Sequence, residues 1–179
     1  MGSKRLHPPP APATVRGVKK SLLALSLLLG AGFLAGCGPQ QAAAPAAPEA
    51  PSGPRVIALS AADNMKFSEE AITAKPGEAL KVTLTNLGSL PKESMAHNWV
   101  LLKAGADAGA FSAAAISAKD SGYMPPALQG QVVAHIPMQG PHQTGEVEFT
   151  EPTAPGDYPY LCTFPAHYQV GMHGVLTVK

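Results

Sequence analysis

The sequence has little cysteine, little charge and no apolar run long enough for an ordinary membrane-spanning helix. Among 179 residues only Cys37 and Cys162 are cysteines, and 14% of residues are charged. The formal net charge is +1, so the chain lacks the basic surplus that binds nucleic acid. We therefore expect no nucleic-acid partner.

The longest apolar segment lies near the N-terminus. "SLLALSLLLGAGFLAGC" (residues 21–37) follows the basic stretch "RGVKK". Its apolar core is shorter than the ~20 residues that span a bilayer, and the order of basic, apolar and small residues is typical of an export signal. The segment ends in "LAGC", which resembles the bacterial lipobox, where the cysteine becomes the lipid-modified first residue. We predict a lipoprotein signal peptide over residues 1–36 and lipidation at Cys37; an ordinary signal peptide or an uncleaved anchor are the alternatives.

Residues 37–54 contain the lipidated cysteine and a linker made almost entirely of Ala, Pro, Gly and Gln. Such a composition cannot build a core, and in extended form it reaches roughly 50 Å at most. From Arg55 onward there are eight basic and 11 acidic residues, a net charge of −3. We predict a tether followed by a mildly acidic folded domain over residues 55–179.

That domain alternates short apolar strands with turns that contain Pro and Gly. Seven segments have strand patterns: "RVIALS", "LKVTLTNL", "HNWVLL", "QVVAHI", "GEVEFT", "DYPYLC" and "GVLTVK". The Ala-rich segment 104–118 favours a short helix instead. No internal repeat is present. The pattern predicts an all-β fold, an antiparallel Greek-key β-sandwich with a short helical insertion.

Cys162, His167 and Met172 follow one another at five-residue steps near the C-terminus. If Cys37 carries lipid, Cys162 has no disulfide partner, and an unpaired cysteine in an exported protein needs an explanation. A loop with three ligands needs a further one from elsewhere, and His97 at the start of a strand is the strongest candidate. Two imidazoles, a thiolate and a distant thioether form the site of blue copper. We predict one type 1 copper, cycling between Cu(I) and Cu(II).

The two separated motifs, "LPKESMAHNWVLL" and "CTFPAHYQVGMHGVLTVK", resemble those of the cupredoxins, in particular azurin and the auracyanins. The likeness covers about residues 57–179, and the step from His167 to Met172 has the auracyanin length, one residue longer than in azurin. It implies a cupredoxin domain in which His97, Cys162, His167 and Met172 bind the metal. It also implies a weak axial contact from the Ala96 carbonyl. The resemblance further implies that Asn98, Thr163 and Phe164 make supporting hydrogen bonds around the ligands. It also implies an apolar surface around His167, formed by Met65, Met95, Phe164, Pro165, Ala166, Tyr168 and Val170.

These residues indicate an electron carrier, not an enzyme. Copper enzymes need several more histidines, commonly as His-x-His pairs, and His135, His142 and His173 are read as exposed residues without partners at ligand spacing. The alternative is a copper-delivery lipoprotein of the cell envelope. By resemblance the partners are redox proteins: a cytochrome c, a quinol-oxidising complex, a reaction centre or a terminal oxidase. We expect a monomer, exported and anchored by lipid to a bacterial membrane facing the periplasm or the outside.

Overall fold

The computed structural model describes residues 53–179. The predicted signal peptide, Cys37 and all but the last two residues of the predicted linker lie outside the described residues. Within residues 53–179 there is no helix with the length and apolar character that crossing a membrane requires.

Eight strands form two sheets. Their bounds are β1 Arg55–Ala61, β2 Ala71–Ala74, β3 Ala79–Asn86, β4 His97–Leu102, β5 Val132–Gln139, β6 Thr144–Thr150, β7 Gly156–Leu161 and β8 His173–Val178. The first sheet has the order β1-β3-β6 and the second the order β2-β8-β7-β4-β5. Helix α1 (Lys92–Met95) lies between β3 and β4 in the sequence, and helix α2 (Ala108–Ala115) lies between β4 and β5. The predicted β-sandwich with a helical insertion is confirmed.

The core lies between the sheets because apolar residues alternate along the strands. On β3, every second residue is buried, including Leu80, Val82 and Leu84, which have no exposed surface. Trp99 and Tyr160 fill the same core from the second sheet, with their ring centroids 5.8 Å apart. Trp99 is thus a core residue.

Strand β4 is buried on both faces, unlike its neighbours. Its outer face carries Val100 and Leu102, which pack with Phe111 of α2 and form a second apolar cluster. Helix α2 begins after Asp107, whose side chain accepts a hydrogen bond from the Ala110 N–H at 2.9 Å, an ordinary N-cap. The helical insertion therefore covers apolar residues on the outer face of β4.

Two features of the sheets differ from the sequence-based prediction. Strand β2 was not predicted, because four residues of "AITA" are too few to show a clear alternation. Also, β1 pairs with β3 and β2 pairs with β8 in parallel, whereas the other four pairings are antiparallel. The sandwich is mixed, not purely antiparallel, since the order of strands depends on long-range contacts that no local pattern encodes.

The first strands are held without a disulfide: Cys162, the cysteine of the described region, is free. Arg55 at the start of β1 makes an ion pair with Glu78 at 2.7 Å and donates a hydrogen bond to the Thr73 carbonyl at 2.8 Å. The Tyr160 hydroxyl donates to the Glu69 carbonyl at 2.6 Å. Packing, strand pairing and these polar contacts join the first strands to the rest of the sandwich.

A buried carboxylate lies just after β6. Glu151 is 2% exposed, and neither of its carboxylate oxygens has a hydrogen-bond partner. Burial raises the pKa of this side chain to about 7; the Glu78 carboxylate adds to the rise, while Arg55 opposes it. Arg55 is already engaged by Glu78, so the proton is what neutralises Glu151 in the folded protein.

Glu151 should make stability depend on pH. The pKa is about 7 in the folded protein against an ordinary 4.5, so the native state binds this proton more tightly than the unfolded chain does. The free energy of unfolding should therefore fall as pH rises through this interval. Glu151→Gln should be more stable than wild type by on the order of 3 kcal/mol at about pH 8 and nearly equal to it at about pH 4.

Urea unfolding at the two pH values measures this difference. Glu70→Gln, at an exposed position, is the matched control and should follow the wild-type profile. A Glu151→Gln protein whose advantage does not grow with pH would show that Glu151 is not protonated in the native state.

Candidate metal centre

The predicted ligands come together at one end of the sandwich. His97 is the first residue of β4, and Cys162 directly follows β7. The connection from β7 to β8, residues 162–172, is here called the ligand loop; it contains His167 and ends at Met172. Adjacent antiparallel strands β4 and β7 bring the start of one beside the end of the other. The pairing of these two strands thus brings together segments that are 65 residues apart in the sequence.

Three of the four predicted ligands form a compact buried cluster. One donor atom each from His97, Cys162 and His167 lies within 4.8 Å of the others. The Cys162 Sγ atom is 3.5 Å from His167 Nδ1, and the centroids of the two imidazole rings are 5.0 Å apart. Cys162 and His97 have no exposed surface, and His167 is 2% exposed. The donors face one another in a place that water does not reach.

Burial keeps these groups neutral. It raises the pKa of the Cys162 thiol to about 12, although the backbone N–H groups of Asn98 and Phe164 favour the thiolate. It lowers the pKa of His167 to about 4, with a smaller contribution from His97. Burial also lowers the pKa of His97, against the opposing effects of the Ala62 carbonyl and the Asp63 carboxylate. Two neutral imidazoles beside a thiol can donate electron pairs to a cation.

The ligand loop is held by its own backbone. The Cys162 N–H donates to the Met172 carbonyl at 3.1 Å, and the Met172 N–H donates to the His167 carbonyl at 2.9 Å. The His167 N–H in turn donates to the Phe164 carbonyl at 3.1 Å. Met172 is completely buried. Each predicted ligand on the loop is therefore tied by a main-chain hydrogen bond to another, which fixes their relative positions.

Side-chain amides attach the loops to the sheets. Asn98 donates from Nδ2 to Thr163 Oγ1 and accepts from the Thr163 N–H, both at 2.8 Å. Asn86, at the end of β3, donates to the Gln139 carbonyl at 3.2 Å and to the Met95 carbonyl at 3.5 Å. All these groups are buried or partly buried, so losing a partner would leave a costly unpaired polar atom. They hold the segments on either side of the cluster.

The structure places the other predicted residues as follows. Asn98 and Thr163 make the expected link; Ala96 is buried directly before His97; and Phe164 is buried, with its ring centroid 4.7 Å from that of His167.

On the predicted apolar surface Ala166 and Val170 are exposed, and Met65, Met95, Pro165 and Tyr168 are partly exposed. The burial of Phe164 corrects its assignment to that surface. His135, His142 and His173 are exposed, as expected. Coordination by Met172 and by the Ala96 carbonyl stays a prediction.

Sequence reasoning missed several residues around the cluster. The Ala62 carbonyl faces His97, Asn86 holds the chain before it, and the Tyr123 ring packs on Phe164 with centroids 5.4 Å apart. Lys66 donates from Nζ to the Gly171 carbonyl at 3.2 Å. None of them belongs to a ligand motif. Only the density of Asn, Asp and Gly residues in the loops 62–66 and 86–88 marks these stretches as turns.

The cluster fits a copper ion on its own chemistry. Neither ring nitrogen of His97 has a hydrogen-bond partner, and the nearby Ala62 carbonyl does not reach hydrogen-bond geometry. Buried polar atoms are nearly always satisfied, so an unpaired His97 nitrogen close to the donor atoms of Cys162 and His167 indicates a missing partner. Two imidazoles with a cysteine sulfur are the equatorial set of blue copper sites. The fold and this cluster define a protein of the type 1 copper class.

Comparisons with known proteins give the family. Residues 55–179 match the copper-binding proteins of the plastocyanin/azurin family, and the chain belongs to that family. Its cofactor is one type 1 copper ion. Among curated relatives, auracyanin-B of Chloroflexus aurantiacus is 35% identical over 66% of this chain but only 49% of its own length, so this chain spans about half of that relative. Azurin of Pseudomonas chlororaphis is 33% identical over 69% of this chain and 97% of its own.

Solved structures agree. Auracyanin from the photosynthetic bacterium Roseiflexus castenholzii, crystallised after reduction with dithionite, superimposes with a TM-score of 0.63 at 32% identity. The match covers 71% of this chain and 98% of that one. Auracyanin A from Chloroflexus aurantiacus, described as a "blue" copper protein, gives the same TM-score and identity over its whole length. The predicted cupredoxin fold and the azurin/auracyanin likeness are thus confirmed.

Proposed function

We propose that this protein carries single electrons between redox proteins of a bacterial cell envelope, to which it is attached by lipid at Cys37. In this proposal His97, Cys162 and His167 would bind the copper, and the Met172 thioether and the Ala96 carbonyl would act as weak further ligands. The observation that carries it is the buried cluster of His97, Cys162 and His167, with imidazole nitrogens that have no other partner.

Copper in such a site would supply one-electron chemistry, passing between Cu(I) and Cu(II). The chain's own contribution is to hold the donors still. His97 is fixed by a strand buried on both faces, and the ligand loop by its backbone hydrogen bonds and by Asn98. A scaffold that keeps its ligands in place lowers the rearrangement that accompanies electron transfer. Burial also excludes water, so no substrate can reach the cluster directly.

Delivery of copper to another protein is the second candidate. It would need ligands that open readily to solvent, whereas Cys162 and His97 are fully buried and Met172 is joined to both neighbouring ligands on its loop. Catalysis would need further copper ligands. The spare histidines of the described region are exposed and far apart in sequence, at 135, 142 and 173. Electron transfer is therefore the activity that the geometry supports best.

Changing the thiolate ligand tests the site. Cys162→Ser replaces sulfur by oxygen with little change of volume, so the apoprotein should fold while the copper-loaded protein loses its intense blue absorption. Visible spectra and far-UV circular dichroism of both proteins measure this. Cys37→Ser serves as the matched control, since it lies outside the folded domain, and it should remain blue. A Cys162→Ser protein that is still blue would disprove the ligand assignment.

Electrons should enter through the surface next to the buried His167. Several ligand-loop residues that reach solvent here are apolar: Ala166 and Val170 are exposed, and Tyr168 and Pro165 are partly exposed. Val170 keeps 47% of its surface. Contiguous exposed apolar residues usually mark contact sites, and weak redox encounters use small interfaces. We propose this surface as the face that meets redox partners.

A charge on this face should slow electron exchange. In Val170→Lys two copies would meet with like charges, so the self-exchange rate between oxidised and reduced protein should fall by roughly tenfold or more. NMR line broadening of mixed samples measures the rate. Val56→Lys is the matched control, because Val56 is 59% exposed at the start of β1, away from the ligand loop. Equal rates in Val170→Lys and wild type would exclude this face, and rapid copper loss to a chelator would favour delivery instead.

Attachment follows from the N-terminal sequence. The proposal divides the chain into a signal peptide (1–36), a lipidated cysteine with a Pro- and Ala-rich linker (37–54) and the copper domain (55–179). Stable anchoring takes more than one acyl chain, which the predicted lipid modification supplies. A linker of this composition would let the domain move roughly 50 Å from the membrane while staying attached.

Removing the lipid site tests the anchor. Wild-type protein from its native host should be found in the membrane fraction, with a mass that corresponds to a lipidated chain beginning at Cys37. Cys37→Ser should appear in the soluble fraction with an unchanged absorption spectrum. If Cys37→Ser stays with the membrane, an uncleaved signal segment is the anchor; unmodified wild-type protein in the soluble fraction would rule out attachment.

A further inference from the structure

We propose that Lys66 is a positioning residue for the axial ligand: its ammonium group holds the Gly171–Met172 peptide and so sets where Met172 lies, and its charge raises the reduction potential of the site. The inference rests on the proposed ligand set. Lys66 lies between β1 and β2, far from the ligand loop in sequence, and no copper-ligand motif includes it.

The first observation is a direct bond between two loops. Lys66 Nζ donates to the Gly171 carbonyl at 3.2 Å across 105 residues of sequence, and Lys66 is partly buried. No ion pair of the described region involves Lys66, so the carbonyl is not competing with a carboxylate for the ammonium group. Hydrogen bonds from charged donors are stronger than those from neutral ones.

The second observation is that one peptide group is held at both ends. The Gly171 carbonyl accepts from Lys66, and the N–H of the same peptide, that of Met172, donates to the His167 carbonyl at 2.9 Å. Because the peptide unit is planar, fixing its oxygen and its nitrogen fixes its orientation and the position of the Met172 Cα atom. The two contacts together determine how the Met172 side chain enters the core.

The third observation is that residue 171 is shaped for this contact. Gly171 has φ +92°, which residues with a side chain rarely adopt, and a Cβ atom there would collide with the Lys66 ammonium group. Glycine thus lets the lysine approach and lets the loop turn immediately before Met172.

The fourth observation is that the backbone on either side of Lys66 is fixed by hydrogen bonds and packing. Met65 before it has φ +56°, and its N–H donates to the Ala62 carbonyl at 3.0 Å. Phe67 after it is buried and forms a bridge with Ala61 of β1. A left-handed residue that is not glycine is uncommon and persists only where the surroundings enforce it. The turn from Ala62 to Phe67 therefore aims Lys66 at the ligand loop.

The experiment compares Lys66→Met with Lys66→Arg. Methionine keeps the apolar stem and loses the donor and the charge, whereas arginine keeps both. In the metal-free protein, amide hydrogen exchange at Met172 should speed up roughly tenfold or more in Lys66→Met, because the opposite end of its peptide is released. Lys66→Arg should restore slow exchange. Lys103→Met, an exposed lysine just after β4, is the matched control and should exchange like wild type.

Redox titration of the copper-loaded proteins gives the second readout. A nearby positive charge disfavours the more positive oxidised state, so the reduction potential of Lys66→Met should fall below wild type, while those of Lys66→Arg and Lys103→Met stay close to it. Unchanged Met172 exchange in Lys66→Met would overturn the positioning role, even if the potential fell. The exchange measurement needs no metal, so it stands apart from the proposed function, which fails instead if wild-type protein takes up copper without becoming blue.

Discussion

The rest of the structure depends on the burial of three electron-pair donors that the protein alone does not fully satisfy. His97, Cys162 and His167 have almost no exposed surface, and neither nitrogen of His97 has a hydrogen-bond partner. Removing such groups from water without partners costs free energy that the remainder of the fold has to offset. A bound copper ion would accept electron pairs from all three at once. The apoprotein is therefore a scaffold that stabilises a binding geometry in advance of the metal.

The two sheets make that burial possible. Strand β4 is covered by the core on one side and by α2 on the other, so His97 starts from a backbone that cannot easily move. The ligand loop is attached to it through Asn98 and Thr163, and to itself through the main-chain bonds of Met172. Because the helical insertion covers β4, its packing supports the metal site although it contributes no ligand.

Local chemistry and periodicity determine what the sequence could predict. The cluster of His97, Cys162 and His167 was predictable because only a few residue types bind copper and the spacing on one loop is unusual. The strands were predictable because alternation reflects burial, as on β3. Strand β2 and the parallel pairings were not, since short strands show little alternation and strand order is a long-range property. The Lys66–Gly171 contact spans 105 residues, and the burial of Glu151 follows from how two strand ends meet, so no local pattern contains either.

Buried polar groups are neutralised in different ways at the two ends of the sandwich, and this difference explains where the Arg55 and Lys66 side chains lie. At the far end of β3, Arg55 is engaged by Glu78, and Glu151 stays neutral by holding a proton. At the metal end, the donors remain neutral by burial and no protein cation enters: none of the buried residues of the described region is Lys or Arg. The Lys66 ammonium group lies at the edge of the site, where it donates to the Gly171 carbonyl. A lysine inside the cluster would hydrogen-bond to the donor atoms in place of copper. A lysine at the edge leaves the donor atoms free for copper, while its positive charge still acts on the site.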